Sequence, residues 1–256
     1  IQNIARIFKP LFKSRHDDWW VAEFDGASLE FRVAVEMAND EQGRRDLLNP
    51  DFDPHQHTAD VLTEAGQPTS RQEAKKHTFK PLYGGKSGTE AEKAYYRDFS
   101  SRYAGISKMQ EKWKREALDF KTVTMPNGMQ FYFPHTTITS TGYQTDSTSI
   151  CNYPVQSFAT ADIIPIVITY AWHYMKQAKL QGFIVNTIHD SIIVEAPIEE
   201  KEKINEIMCR TFGNMCYNYI KRTYNIDFTT TLGVGMKWGK YWSEGPETLI
   251  NLPRGN

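Results

Sequence analysis

The 256-residue sequence has little cysteine, little net charge and no long apolar run. Its three cysteines are an odd number without close pairing or zinc-ligand spacing, which argues against a disulfide framework and favours a reducing compartment. The most apolar segment, residues 163–172, is too short to span a bilayer. No secretory signal, internal repeat or low-complexity tract is visible. We therefore expect a cytoplasmic, globular protein without a membrane partner, with enough residues for one large or two small domains.

Charge is distributed unevenly along the chain. The formal net charge is −1, but residues 71–121 contain 13 Lys or Arg and 7 Asp or Glu, a net of +6. A basic region on a near-neutral protein is a footprint for nucleic acid or phosphate, or simply a solvated helical face. The charge pattern alone leaves both readings open.

The order of predicted elements indicates an α+β fold. Residues 40–70 contain three prolines and are expected to be rich in loops, and the tail after Trp242 is read neither as ordered nor as disordered. Strands are predicted at 19–24 and 228–238, with hairpins at 125–134 and 184–197. Helices are predicted at 29–37, from Ser70 onward, and at 89–121, 152–181 and 198–223. The pattern predicts an αβ base interrupted by a helical insertion.

Two aspartates stand at the ends of predicted strands. Asp25 ends an apolar strand and precedes Gly26, and Asp190 lies at the turn of the hairpin NTIHDSIIVEAP. An Asp at such a place is often only a turn residue. Two carboxylates at adjacent strand ends repel each other unless a divalent cation lies between them. The pair therefore predicts either two turn residues or a metal site suited to phosphoryl transfer.

A third segment, SRQEAKKHTFKPLYGG, combines cations and aromatics at a helical spacing. Arg71, Lys75, Phe79 and Tyr83 follow one another in steps of four, which aligns them on one helix face. Such a face can hold a triphosphate and stack a base. It is equally an amphipathic helix whose cations reach solvent.

These three segments, in this order, resemble the motifs of family A DNA polymerases. Residues 25–32 resemble motif A, residues 71–84 motif B (the O helix of the fingers, about 70–84), and His189-Asp190 motif C. Supporting matches are 1–4, Asp53-x-His55, Asn152-x3-Gln156 and Gly235-x2-Trp238. The diverged spacers resemble a bacteriophage-type enzyme. The resemblance covers the palm and fingers portion of the family.

The resemblance implies a catalytic metal site. Asp25 and Asp190 would hold two Mg²⁺ ions, with the Gly26 carbonyl as a further ligand and Mn²⁺ as a substitute. Mg²⁺ suits such a site because it accepts few carboxylates and keeps substrate phosphates as ligands. The implied reaction is addition of dNTPs to a primer 3′ end in DNA replication.

It also implies roles for the nucleotide and DNA contacts. Arg71, Lys75 and His55 would contact the triphosphate, Phe79 would stack on the nucleotide, and Tyr83 would lie near the templating base. Glu30 would exclude a ribose 2′-hydroxyl. The remaining implied DNA contacts, to the nascent base pair and the primer end, are Asn152, Gln156 and His189.

The sequence also departs from the family pattern. Motif C usually continues with Glu, where this chain has Ser191. Lys80 and Pro81 stand where the O helix usually has Gly and an aliphatic residue, and a proline removes a helical hydrogen bond. We expect altered metal affinity and a re-aimed Tyr83 rather than loss of chemistry.

The resemblance implies palm for residues 1–37, fingers for 38–150, and palm with a C-terminal tail for 151–256. Thumb and exonuclease domains are expected to be absent from this chain. We therefore expect weak binding of primer–template DNA unless an upstream polypeptide carries a thumb and a 3′–5′ exonuclease.

Three alternatives remain. A non-catalytic or complementing nucleic-acid-binding subunit is favoured by Ser191 and the missing thumb. A single-subunit RNA polymerase shares the palm, but Glu30 argues against it. A metal nuclease explains Asp25 and Asp190 but leaves the segment 70–85 unexplained.

Overall fold

A computed structural model describes residues 4–242 and 244–252. The fold is α+β, as expected. The chain divides into two compact units, one formed by the described residues up to 29 and from 158 onward, the other by residues 30–157. The expected palm and fingers boundaries, at 37/38 and 150/151, stay predictions. The matches at residues 1–3 and the last four residues of the tail lie outside the described residues.

The first unit is built on an antiparallel sheet of five strands. In their order across the sheet, these are β4 (Phe183–Ile188), β5 (Ser191–Pro197), β1 (Trp19–Gly26), β6 (Leu232–Gly239) and β7 (Glu247–Leu252). Ala22 and Phe24 on β1, and Ile192 and Val194 on β5, are completely buried, whereas the residues between them are less so. Side chains alternate between the two faces of a strand, and Val21 and Ile193 on the opposite face are also buried, so both faces of these central strands are covered.

Three helices of this unit follow the predicted helical segments. Helix α8 contacts β4 and β5, and a π-helical segment at Thr211–Met215 joins α9 to α10 and contacts β6. A second π-helical segment, Phe158–Ile163, precedes α8. The helices are α8 (Ile164–Gln177), α9 (Lys201–Arg210) and α10 (Cys216–Tyr224). Short 3-10 turns lie at Arg6–Leu11 and Ile198–Glu200.

The second unit is mainly helical. Its helices are α1 (Leu29–Met37, of which 30–37 belong to this unit), α2 (Glu41–Leu48), α3 (Pro54–Glu64), α4 (Arg71–Ala74), α5 (Glu90–Arg102), α6 (Ala104–Phe120) and α7 (Ser147–Ser157). A hairpin of β2 (Thr122–Thr124) and β3 (Gln130–Tyr132) turns at Asn127-Gly128, as predicted, and Gly128 has a φ of 85°.

Two of these helices contradict the expectation that residues 40–70 are rich in loops. The side chain of Asp40 accepts a hydrogen bond from the Gly43 amide and starts α2. Asp53 accepts from the amides of His55 and the next residue and starts α3, with Pro54 in its first turn. Proline is well tolerated there because that position needs no amide hydrogen bond. Pro54, one of the three prolines from which loops were expected, therefore lies at the start of a helix.

Within the described ranges, the continuous helical stretch Ser147–Gln177 is long and apolar enough to cross a membrane by length and composition alone. Of its most apolar window, 44% is buried. Core helices of soluble proteins meet the same criterion, so the stretch is weak evidence for a membrane segment.

Candidate active site

The ends of two neighbouring strands bring Asp25 and Asp190 together. Asp25 on β1 pairs with Ser191 on β5, and the Gly26 amide donates a hydrogen bond of 3.0 Å to the carbonyl of Asp190. Both aspartates belong to the first unit. The expectation that they stand at adjacent strand ends is therefore met.

The turn between β4 and β5 presents the motif C residues. His189 is exposed and has a φ of 53°, in the left-handed region that non-glycine residues seldom adopt. The two strands pair directly on either side of it, Ile188 with Ser191. A two-residue turn of this kind leaves Asp190 little conformational freedom. Asp190 itself is half-buried.

Asp25 lies in a setting that favours its neutral form. Burial raises the pKa of Asp25, and the hydroxyl of Ser191, which donates a hydrogen bond to its Oδ1, opposes this shift. The charges of Glu23 and Glu247 raise the pKa further, and Lys237 lowers it. A cation bound here would favour the carboxylate, because an opposite charge within about 4–6 Å stabilises the charged form.

The donor set at these strand ends fits Mg²⁺. The two carboxylates of Asp25 and Asp190 and the Gly26 carbonyl are all oxygen donors, which magnesium prefers. Among the described residues, no three His, Cys, Asp or Glu side chains come together as a preformed metal cluster. Mg²⁺ does not need one, since it is usually bound by one or two carboxylates and keeps several waters.

The second group of candidate residues lies in the other unit, on the segment 70–84. The continuous helix expected there is not formed. Helix α4 ends at Ala74, and a 3-10 turn at Pro81–Tyr83 follows a stretch of turns. The amides of His77 and Lys80 bond to carbonyls three residues back rather than four. The chain is thus wound more tightly than an α-helix, and spacing by four no longer aligns residues on one face.

The start of this segment follows the sequence more closely. Ser70 and Glu73 form the predicted capping box, with both reciprocal hydrogen bonds present. Arg71 Nε donates to the carboxylate of Asp53, which also caps α3. Burial raises the pKa of Asp53, but the hydrogen bonds from Arg71 and the backbone outweigh it, so the pKa lies below its usual value.

His55 lies beside these cations. Its Nδ1 is 2.9 Å from the Thr78 hydroxyl, which itself donates to the Ala74 carbonyl. Burial lowers the pKa of His55, Asp53 opposes this, and the charges of Arg71 and Lys75 lower it further. His55 is therefore neutral near pH 7 and acts as a hydrogen-bonding group there.

The two aromatic candidates are both held by side chains of the same unit. The Phe79 ring packs against Phe31 and His55, with centroids 5.5 and 5.7 Å away. The Tyr83 hydroxyl donates a hydrogen bond to the carboxylate of Glu30. The structure thus brings the residue expected at the sugar and the residue expected at the templating base into direct contact.

Lys80 and Pro81, the two departures in this segment, have structural roles. Lys80 Nζ donates to the carbonyl of Ser87 at 2.8 Å and lies over the ring of Tyr96. The carbonyl of Pro81 accepts a hydrogen bond from the buried side chain of Gln110 on α6. Lys80 therefore braces the loop after the 3-10 turn.

Asn152 and Gln156 lie one turn apart on α7. The Oδ1 of Asn152 is buried and has no hydrogen-bond partner among the described residues. A buried carbonyl oxygen of this kind is uncommon unless something outside the chain supplies a donor. Both residues keep their expected role as DNA contacts as a prediction.

Sequence reasoning missed two contributors to these sites. Asp53 was noted only for its spacing to His55, although its place before Pro54 is a helix-start signal that also positions Arg71. Ser191 was read as the loss of a carboxylate, although its hydroxyl bonds Asp25. That contact follows from the pairing register of β1 and β5, which cannot be read from the sequence.

Comparisons with known proteins identify the family. The model of DNA polymerase family A matches residues 1–244, nearly the whole chain. The chain therefore belongs to DNA polymerase family A.

Its relatives include bacterial enzymes. DNA polymerase I of Bacillus caldotenax is 28% identical over 217 residues, which cover 78% of this chain and 24% of that enzyme. DNA polymerase I of Pseudomonas aeruginosa is 24% identical over 230 residues, covering 84% of this chain and 24% of the enzyme. The chain thus spans about a quarter of the length of these relatives.

A solved structure has the same fold. The POL domain of Pol1 from M. smegmatis, in complex with DNA primer-template and dNTP, superposes with a TM-score of 0.73 at 18% identity. The match covers 94% of this chain and 44% of that chain. This confirms the α+β polymerase-domain fold expected from the sequence.

Proposed function

We propose that this chain is the nucleotidyl-transfer core of a DNA-directed DNA polymerase, which adds dNTPs to a primer 3′ end in DNA replication. The observation that carries the proposal is that Asp25 and Asp190 lie at adjacent strand ends in a family A chain. Such a carboxylate pair is what a divalent cation in phosphoryl transfer requires. The relatives are DNA polymerase I enzymes, and the fold is that of a polymerase bound to primer-template and dNTP.

In this proposal, Asp25, Asp190 and the Gly26 carbonyl hold two Mg²⁺ ions, which Mn²⁺ can replace. When bound, the ions would lower the pKa of the attacking hydroxyl and stabilise charge on the phosphates. Ser191 keeps one oxygen of Asp25 in place through its hydrogen bond. His189, exposed at the turn, would lie by the primer end.

The second unit supplies the nucleotide contacts in this proposal. Arg71 and Lys75 provide positive charge for the triphosphate, and His55 provides a neutral hydrogen-bonding group. Arg71 can exchange the carboxylate of Asp53 for phosphate oxygens, which bind guanidinium groups in a bidentate manner, and Lys75 is exposed. Phe79 would stack on the nucleotide, and Asn152 and Gln156 would contact the nascent base pair.

The contact between Tyr83 and Glu30 supports a role in sugar selection. The tyrosine hydroxyl holds the Glu30 carboxylate in one orientation. A carboxylate held in this way would meet a ribose 2′-hydroxyl with both bulk and charge, which favours dNTPs over ribonucleotides. This observation weighs against the single-subunit RNA polymerase.

Two finer expectations remain proposals. An upstream polypeptide carrying a thumb and a 3′–5′ exonuclease would supply the duplex grip, since phosphate contacts provide much of the affinity for DNA. The matching relatives are bacterial and do not support a bacteriophage-type enzyme, which rests on the spacers alone. Action in the cytoplasm follows if the proposed function holds.

Primer extension with Mg²⁺ tests the proposal, with dNTPs and ribonucleotides as separate substrates. We expect extension with dNTPs, and we expect Asp190→Ala to reduce it more than ~100-fold. Loss of a residue that only hydrogen-bonds to a metal ligand already costs roughly 10- to 100-fold in metal affinity or activity. Equal extension by wild type and Asp190→Ala would overturn it. If the chain alone extends nothing, adding an upstream polypeptide distinguishes a split enzyme from the non-catalytic subunit.

A further inference from the structure

Glu247 lies on the face of the sheet that carries Asp25, as the strand register shows. Glu23 and Asp25 share this face because side chains alternate along a strand. The strand register extends the face outward: Lys237 pairs with both Glu23 and Glu247, and Asp25 pairs with Gly235. Directly paired residues point to the same side of an antiparallel sheet. Glu247 on β7 is therefore on the same side as Asp25.

Gly235 lets the carboxylate of Glu247 approach Asp25. A Cβ built on Gly235 would lie 2.5 Å from Glu247 Oε1, so that oxygen occupies the position of the missing side chain. Paired residues have Cβ atoms about 5 Å apart. The Glu247 carboxylate, at the position of the missing Gly235 side chain, therefore lies about that distance from the Cβ of Asp25, the partner of Gly235.

The strand that carries Glu247 lies beyond the part of the chain that matches the family model. The match ends at residue 244, and β7 spans Glu247–Leu252. Gly245, with a φ of 86°, turns the chain back, and β7 then pairs with β6 from Leu232 to Lys237. The position of Glu247 is thus fixed by the sheet and not by any family motif.

We propose that Glu247 is a third carboxylate of the cation site at Asp25, acting through bound water. The inference rests on the proposed function. Glu247 Oε2 lies 3.4 Å from Lys237 Nζ, which anchors the side chain, while Oε1 lies over Gly235 and faces the site. A water-mediated role agrees with Mg²⁺, which keeps several waters, and with the described residues, which hold no preformed three-ligand cluster.

Calorimetric titration of the purified chain with Mn²⁺, without DNA or nucleotide, tests this inference. Glu247→Gln removes the charge with little change of shape. Gly235→Ala keeps the charge but displaces the flexible end of Glu247, since the three atoms nearest to the new Cβ all belong to the Glu247 side chain. Glu199→Gln, at an exposed glutamate of the same unit, is the matched control.

We expect both Glu247→Gln and Gly235→Ala to weaken Mn²⁺ binding roughly 10-fold, as loss of outer-shell partners does, and Glu199→Gln to leave it unchanged. Binding that Asp25→Asn removes but Glu247→Gln leaves at the control level would overturn this inference alone and leave Glu247 as an ion-pair partner of Lys237. Binding that Asp25→Asn does not affect would overturn the proposed cation site together with the inference. No Mn²⁺ binding by the chain alone would overturn the inference and leave the proposed function to the primer-extension test.

Discussion

The strand ends that carry Asp25 and Asp190 and the segment that carries Arg71 to Tyr83 are held in place by different means. Strand β1 pairs with β5 from Trp19 to Asp25 and with β6 on its other side. The segment 70–84 has a single turn of α-helix, a capping box and a 3-10 turn. One group of candidate residues is fixed by a continuous ladder, the other by separate hydrogen bonds.

The separate bonds of the second group come from several directions. Asp53 accepts from Arg71, Glu30 accepts from Tyr83, and Gln110 donates to the carbonyls that follow Lys80. A ladder is lost cooperatively, whereas local contacts of this kind open with small free energies of their own. The proposed metal-binding residues should therefore lose their arrangement only when their unit unfolds, and the proposed nucleotide-binding residues should respond to single local changes.

The largest effect should come from a core residue beneath the ladder. Phe24 is completely buried, adjoins Asp25 in sequence and packs edge-on against Trp238. We expect Phe24→Ala to lower the free energy of unfolding by about 3–5 kcal/mol, because it leaves a cavity in the core. Urea unfolding measures the loss, and Mn²⁺ binding should decline over the same urea range as the folded fraction.

Phe8→Ala is the matched control for that experiment. Phe8 lies in the same unit, but about half of its surface is exposed, so its loss should change stability far less. Mn²⁺ binding that disappears in Phe24→Ala while the unit stays folded would show that the ladder does not act as one cooperative element, which would contradict the comparison.

Local patterning predicted most of the first unit. Runs of apolar and β-branched residues in the sequence mark β1 and β5, and they placed Asp25 and Asp190 at the strand ends. Strand β7 was not predicted, because most of its residues are exposed and no apolar alternation marks it. It forms through backbone pairing with β6, which its exposed side chains do not signal in the sequence.

The second unit was harder to predict because its signals conflict. Spacing by four favours a helix over 70–84, but Pro81 cannot donate a backbone hydrogen bond and the segment tightens to bonds three residues apart. The capping box at Ser70 correctly marked the start of the helix but not its length. The contact between Tyr83 and Glu30 joins residues 53 positions apart, which sequence spacing does not reveal.

A smaller and local effect should follow from the capping box beside Arg71. Ser70→Ala removes the side-chain oxygen that accepts from the Glu73 amide, a change that typically costs about 1 kcal/mol of helix stability. We expect the KM for dNTP to rise about fivefold with kcat little changed, since the loss acts on nucleotide contacts. Steady-state primer extension measures both constants.

Thr89→Ala provides the control for the cap. Thr89 forms an equivalent capping box with Glu92 at the start of α5, in the same unit, and carries none of the proposed nucleotide contacts. An equal rise in KM in Thr89→Ala would show that general destabilisation of the unit is responsible, and the local explanation would be wrong.

The smallest effect should be a change in pH dependence at His55. Burial lowers the pKa of His55 in the folded chain, so the unfolded chain binds the proton at higher pH than the folded chain does. This contribution to stability is complete above the ordinary histidine pKa of about 6.5 and is lost as the pH falls below it. Measuring the free energy of unfolding from pH 7.5 to 5, we expect His55→Gln to flatten this decline and His135→Gln, at an exposed histidine of the same unit, to leave it. An unchanged decline in His55→Gln would show that neither burial nor the charges of Arg71 and Lys75 lower the pKa of His55 in the folded chain.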